Sequence, residues 1–494
     1  MNPTSTDKPT LKIKGAIELS PAPESYSVTI NERYGHYIGG KHVAGDSGTE
    51  FTTINPATGE KLASIATGSD QDVDNAVKAA RKAHDKTWGK LPGKERGKYL
   101  YRIARRMQER AREFAVLETR DNGKPIRESR DIDVPLAAAH FMYYAGWADK
   151  LEYAVPGGSP KPIGVCAQVI PWNFPLLMAA WKLAPALATG CTTVLKPAEQ
   201  TPLSVMLLTE ILEEVGLPPG TVNVVNGAGQ TGAALVGHQG IDKVAFTGST
   251  HIGQTILRSI AGSGKKATME LGGKGAHIVF ADAALDQAVE GVINGIFFNQ
   301  GHVCCAGSRL LVEESIADEF VERIKRRVDA LVIGDPMDKN TDVGAINSKE
   351  QLQIVNKYLK IAHEDGANIW QGGACPAPKN GGFWVPPTIL TGVQQTDTVV
   401  REEIFGPVLS VVTFRTPDEA VKKANDSEYG LAAGVWTEKT SRLFDVAHRL
   451  NAGIVWANGY NLFDPASPFG GVRHSGFGRE GGLHGLWAYM GGLP

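Results

Sequence analysis

GVCAQVIPWNFPLLMAAWKLAPALATGCTTVLK, residues 164–196, reads as strand, helix and strand in succession. GVCAQVI (164–170) and TTVLK (192–196) are short apolar runs rich in β-branched residues, the pattern of strands buried on both faces. Between them MAAWKLAPALA repeats apolar residues at three- and four-residue spacing, which is the helical period. Together they form a βαβ unit, and units of this kind build parallel sheets. The alternation continues outward through the helix-like VMLLTEILEEV and the strands VNVV (222–225), KVAFTG (243–248) and ATMEL (267–271). A doubly wound layer follows.

After about residue 275 a second α/β alternation begins. It runs through AHIVF, LDQAVEGVINGIFF, SRLLVEE and ADEFVERIKRRV, and later VLSVVTF, DEAVKKAN, LAAGVW, TSRLFDVAHRL and GIVWAN. The expected fold class is therefore α/β with two doubly wound α/β domains. The aromatic segment FMYYAGWADKLEYAV (141–155) fits neither alternation and is read as a connecting ribbon.

The 494 residues, 42% hydrophobic and 21% charged, are more than one core accommodates, which agrees with two domains. A net charge of -2 from interspersed acids and bases leaves no clustered cationic surface for nucleic acid or an anionic membrane. Apolar stretches are broken by Lys182, Pro185 or a glycine before they reach the roughly 20 residues of a membrane span. The first 28 residues, rich in Pro, Ser, Thr and charge, lack the apolar core of a secretory signal and read as a mobile lead-in. Five cysteines without a CxxC spacing point to a reducing, cytoplasmic setting, with no disulfide framework and no metal site.

Four features carry chemistry, and each also has a structural reading. GAGQTG (Gly227, Gly229, Gly232) follows a strand and opens a helix as a dinucleotide fingerprint does, yet the acidic residue expected about 20 positions on is missing, Asp242 being too close. It serves equally as a tight turn. FTGSTHIG (246–253) offers free amides and the hydroxyls of Ser249 and Thr250 to an anion, although Ser and Thr are also ordinary helix caps. Cys304, in the Gly-rich loop FFNQGHVCCAGSR, is either a nucleophile or a buried thiol. Glu270 ends the ATMEL strand beside Gly272 and Gly273, which leave backbone space for a ligand; alone it could equally be a paired surface group.

Taken together, PWNFP (171–175), KPAEQTP (196–202), FTGSTHIG, MELGGK (269–274), FFNQGHVCCAGSR, EEIFGPV (402–408) and SPFGG (467–471) resemble the aldehyde dehydrogenase superfamily, in the expected order. The likeness runs from NPATGE (55–60) to SGFGRE (475–480). It implies an NAD-dependent oxidation of an aldehyde to a carboxylic acid. Cys304 matches the nucleophile, Asn173 and the Cys304 amide the oxyanion donors, and Glu270 the base that hydrolyses the thioester. Lys182 matches a lysine that would support the thiolate. Lys196 and Glu199 match residues that hold the adenosine ribose, whose free 2′-hydroxyl makes NAD the expected cofactor rather than NADP. Trp172 and Ser249 resemble pyrophosphate contacts, and Glu403 and Phe405 a nicotinamide-ribose clamp assisted by Gln351. Ile170, Gly229, Phe246, Gly248 and Leu271 complete the implied cofactor surface, with GAGQTG beside the adenine.

The family's substrate pocket falls on Phe174, Met178, Trp181, Phe298, Phe463 and Phe469, which suits an apolar or aromatic aldehyde. Residues 29–140 with 162–273 are implied to be the Rossmann-like NAD domain and 274–477 the catalytic domain. Residues 141–161 with 478–494 would then be a small β bridging and oligomerisation element. His302 stands where a glutamine is usual, which would bring a titratable group near Cys304, and FDPASPFGG departs from the usual entrance loop around Asp464 and Pro465. The chain ends at AYMGGLP, short of a β-rich tail common in relatives, so a homodimer is favoured over a homotetramer. A cofactor-free thiol esterase and a non-catalytic binding subunit are the alternatives from other functional classes.

Overall fold

The computed structural model describes residues 20–373 and 381–492. Cys375 lies outside them, as do the first 19 residues of the expected lead-in. The rest of that lead-in is not loose: Pro23 bridges Asp338, the Ala22 amide donates to the Asp338 carboxylate at 3.1 Å, and Glu24 pairs with Arg112. Among the described residues, contact with the body is thus already present at Ser20, whose carbonyl accepts from Asn340 Nδ2 at 2.8 Å, ahead of the expected boundary at 28.

An eight-stranded sheet organises the first lobe. Its centre is five parallel strands in the spatial order Lys266–Glu270, Lys243–Thr247, Val165–Val169, Thr192–Lys196 and Val222–Val224. Residues 165–169 and 192–196 are buried at every position, which explains why neither run alternates between apolar and exposed polar residues. The chain winds outward from Val165–Val169 to Val222–Val224, then returns to the opposite side for Lys243–Thr247. The order thus reverses between Val165–Val169 and Lys243–Thr247, where α/β sheets open a crevice beyond the strands' carboxyl ends. PWNFP and FTGST follow these two strands.

Helix Pro175–Thr189 starts with Pro175 in its first turn, where proline's missing N–H costs nothing, and ends at Gly190 with φ of 97°. Every residue of it is buried. Helices Gly93–Glu109 and Val134–Ala145 pack against it, so the segment at 141–155 is not a ribbon. Residues 134–145 are helical and Leu151–Ala154 forms a further short turn. Phe141, Tyr144 and Ala145 recur at three- and four-residue spacing and are buried, and the Tyr144 hydroxyl donates to the Gly482 carbonyl at 3.0 Å. A short antiparallel pair, Lys161–Pro162 with Met490–Gly491, lies beyond.

The second lobe carries a seven-stranded sheet, parallel but for Asn368–Gln371 at one edge. Ala276–Val279, Arg309–Glu313, Val408–Phe414 and Ala432–Trp436 lie at its centre. The lobes meet through Gly476–Phe477, which adds antiparallel to the edge strand Lys266–Glu270.

Candidate active site

One cavity of about 240 Å³ opens at the reversal point of the first sheet and reaches the second lobe. Trp172 and Asn173 enter it from the turn after Val165–Val169, Gly248 and Ser249 from the turn after Lys243–Thr247, and Glu270 from the end of its strand. The second lobe contributes Cys304 and Cys305, with Gln351, Glu403 and Phe405 along one side. Phe174, Met178, Trp181, Phe298, Phe463 and Phe469 line an aromatic branch. Sixteen of the residues singled out in the sequence thus meet here.

Glycines let the two lobes approach. A Cβ on Gly273 would stand 2.3 Å from the Cys304 carbonyl oxygen, and one on Gly272 would stand 2.2 Å from Glu403 Oε2. The space expected for a ligand beside Glu270 is therefore taken by the Cys304 loop and by Glu403, whose Oε1 accepts the Gly273 amide at 2.9 Å. A Cβ on Gly470 of SPFGG would lie 2.6 Å from Glu270 Oε1. These motifs hold glycine because chain or carboxylate fills the place of a side chain.

Both Glu270 carboxyl oxygens are buried without a hydrogen-bond partner. Burial, and then the charge of Glu480, hold the Glu270 pKa well above the ordinary carboxylate range; Lys182 opposes them and the charge Cys304 would carry adds to them. The neighbouring Cys305 thiol, and then burial, raise the Cys304 thiol above its usual value. Asn173 Nδ2 donates one hydrogen to the His302 carbonyl at 2.8 Å. An amide nitrogen carries two, so a second N–H remains for another acceptor.

Lys182 does not stand free beside the thiol. Its ammonium is fully buried and paired with Glu480, a residue of the SGFGRE stretch that lines the cavity. Nothing in the residues around Lys182 announces that partner, since 298 positions separate the two. His302 is also buried, its ring edge-on to Trp172 at 4.9 Å and near-parallel to Phe405 at 5.9 Å. Burial, aided by Lys124, pushes its pKa down to about 3. The imidazole is therefore neutral, and the titratable group expected near Cys304 carries no charge at ordinary pH.

Phe405 adopts φ of 56°, a left-handed conformation that costs a bulky residue about 1–3 kcal/mol. Gln351 holds it there, its Nε2 donating to the Phe405 and Ile404 carbonyls at 2.8 and 3.2 Å. Ser249 caps helix Thr250–Ile260. Ile170, Lys196, Glu199, Gly229 and Phe246 lie outside the cavity wall. Lys196 Nζ lies 3.7 Å from Glu199 Oε2 and donates to the Pro197 carbonyl at 2.7 Å and to that of Gly227. Gly227, with φ of 152°, permits no Cβ because one would strike Thr231 Oγ1 at 2.2 Å. GAGQTG is thus a tight turn into helix Gly229–Gly237. Asp242 is committed to the Val165 amide at 2.7 Å and to Arg81. Ile132, Leu136, Leu177 and Ile354 also line the cavity, and the sequence reading did not single them out.

Residues 42–491 match the model of the aldehyde dehydrogenase family. The chain is 46% identical over 464 residues to aldehyde dehydrogenase family 2 member B4, mitochondrial, of Arabidopsis thaliana, covering 92% of this chain and 86% of that protein. It is 43% identical over 464 residues to the mitochondrial benzaldehyde dehydrogenase of Antirrhinum majus, with the same coverage. Among solved structures, the NAD+ complex of aldehyde dehydrogenase from Bacillus cereus superposes with a TM-score of 0.90 at 41% identity, over 94% of this chain and 96% of that one. The chain belongs to the aldehyde dehydrogenase family.

Proposed function

We propose that this protein oxidises an apolar or aromatic aldehyde to the carboxylic acid, using NAD and a covalent adduct on Cys304. The observation that carries the reading is the meeting of the Cys304 thiol, the Asn173 amide and the unpartnered Glu270 carboxyl in the lining of one cavity. The NAD+ held by the Bacillus cereus relative supports the cofactor, and the benzaldehyde named for the Antirrhinum relative agrees with the aromatic branch.

The donor set fits NAD. Glu199 presents a carboxylate to a ribose diol beside Lys196, and a Cβ built on Gly229 would meet nothing within 4 Å, leaving room for the adenine. The capped end of helix Thr250–Ile260 suits pyrophosphate through its amides and Ser249. Glu403 and Phe405, backed by Gln351, would hold the nicotinamide ribose, while Ile170, Trp172, Phe246, Gly248 and Leu271 complete the surface. When bound, NAD supplies the acceptor for the hydride that leaves the adduct carbon.

Catalysis by the chain's own residues begins with the Cys304 sulfur. The thiol gives its proton to solvent, the sulfur forms a bond to the aldehyde carbon and the carbonyl π pair moves to oxygen, where the Asn173 N–H and the Cys304 amide face the new charge. Loss of hydride restores the C=O bond and leaves a thioester on Cys304. Glu270 then takes a proton from water, whose oxygen displaces the sulfur and releases the acid. The charge that Cys304 would carry adds to the causes that hold Glu270 protonated, and acylation of the sulfur removes that one cause.

The domain limits, a homodimeric or homotetrameric assembly and a cytoplasmic location belong to this same reading. Among the described residues no helix is long and apolar enough to cross a membrane. The test is a panel of aromatic, aliphatic, amino- and semialdehydes assayed with NAD and with NADP. Aromatic substrates with NAD should give the highest kcat/KM, and Glu199→Gln should shift the NADP to NAD ratio upward about tenfold, or about 1.4 kcal/mol. Ester hydrolysis without nucleotide that outpaces any aldehyde oxidation would favour the esterase instead.

A further inference from the structure

Asn299 adopts φ of 48° and ψ of 40°, a conformation that asparagine tolerates better than most residues but still at a cost. It is fully buried, and its polar groups join three separate stretches of chain. Its amide N–H donates to Glu128 Oε2 at 3.0 Å. Its side-chain Nδ2 donates to the Asn173 main-chain carbonyl at 2.8 Å and, at 3.4 Å, to the His302 carbonyl. Its own carbonyl accepts the His302 amide at 2.8 Å. The His302 carbonyl is also the acceptor that orients the Asn173 side chain. One buried side chain thus spans the turn that bears Asn173, from the first lobe, and the loop that bears Cys304, from the second. Glu128, also buried, fixes the backbone from which that side chain projects. Neither Asn299 nor Glu128 lines the cavity.

We propose that Asn299, oriented by Glu128, is a positioning residue that sets the Asn173 amide against the Cys304 loop, so that the free N–H of Asn173 points at the developing oxyanion. The proposal rests on Asn173 being an oxyanion donor. Losing one such donor slows turnover by roughly a hundred- to thousandfold, and misplacing a group by about 1 Å can cost about a hundredfold. Asn299→Ala, which frees both carbonyls, should therefore lose turnover without touching the reacting atoms.

A double-mutant cycle on the full-length enzyme tests this, with kcat, KM for the aldehyde and Kd for NAD measured for Asn173→Ala, Asn299→Ala and both together. Asn299→Ala should lower kcat by about ten- to a hundredfold with Kd for NAD within about twofold. In the Asn173→Ala background the same change should cost under about threefold, because residues acting as a unit are not additive. Full multiplication of the two losses would overturn the proposal, since a residue that merely supports the fold acts whether or not Asn173 is present. Near wild-type turnover of Asn173→Ala would instead sink the oxyanion reading itself. Should Asn299→Ala fail to fold, Glu128 carries the same test. Glu128→Leu removes the acceptor and should slow turnover, Glu128→Gln keeps an oxygen there and should recover most of the loss, and equal loss in both would overturn the proposal.

Discussion

Glu270 and Cys304 face each other's charge across one cavity, and the thiolate Cys304 would carry is among the causes that keep the Glu270 carboxyl protonated. Burial is the larger cause, and neither carboxyl oxygen has a partner to offset it. Acylation of the sulfur would remove one of the causes that keep this carboxyl protonated. Glu270→Gln should leave acylation in place but slow thioester hydrolysis by about a hundred- to ten-thousandfold. Intact-mass measurement during turnover should find the acyl group accumulating on Cys304. The same raised pKa predicts that steady-state turnover climbs with pH above the ordinary carboxylate range, and that Glu270→Gln removes that limb.

Lys182 and Glu480 form a buried ion pair behind the cavity. Breaking such a pair from one side leaves an uncompensated charge and typically costs about 3–5 kcal/mol, whereas replacing both partners with apolar residues can be nearly neutral. Lys182→Met should accordingly lower the melting temperature more than the double change Lys182→Met with Glu480→Leu. Removal of the lysine also takes away the charge that opposes protonation of Glu270, so the pH limb assigned to Glu270 should move to higher pH. A profile unchanged in Lys182→Met would mean that the pair is structural alone.

His302 is held neutral by burial, its pKa pushed down to about 3. Protonation therefore plays no part in its function between about pH 5 and 8, although an unperturbed histidine titrates there. His302→Gln should reproduce the wild-type pH profile across that range, with any change confined to its height. A step near pH 6.5 present in the wild type and absent from His302→Gln would show that the ring does become charged.

What the sequence revealed and what it hid follow the range of the forces involved. The strands at 165–169, 192–196 and 243–247 were legible because burial on both faces leaves short runs with a central apolar stretch and no alternating exposed face. Glu270 and Cys304 stood out through motifs whose glycines are required by close approach of chain and carboxylate, and Asn173 through the glycine-free PWNFP. The helix at 134–145 was obscured because its clustered aromatics and alanines pack on several sides and leave no polar face to mark the period. The partners of Lys182 and Asn299 were hidden for another reason. Glu480 and Glu128 come from distant positions, and only the assembled fold brings them within hydrogen-bonding reach.

Covalent catalysis by a single sulfur is tested most directly by aldehyde-dependent NADH formation in Cys304→Ala beside Cys305→Ala, each checked for folding and for NAD binding. Cys304→Ala should bind NAD as the wild type does yet lose turnover by at least about 10⁴-fold, as nucleophile removal does, while Cys305→Ala keeps the greater part of its activity. Substantial NADH production by Cys304→Ala would contradict the account.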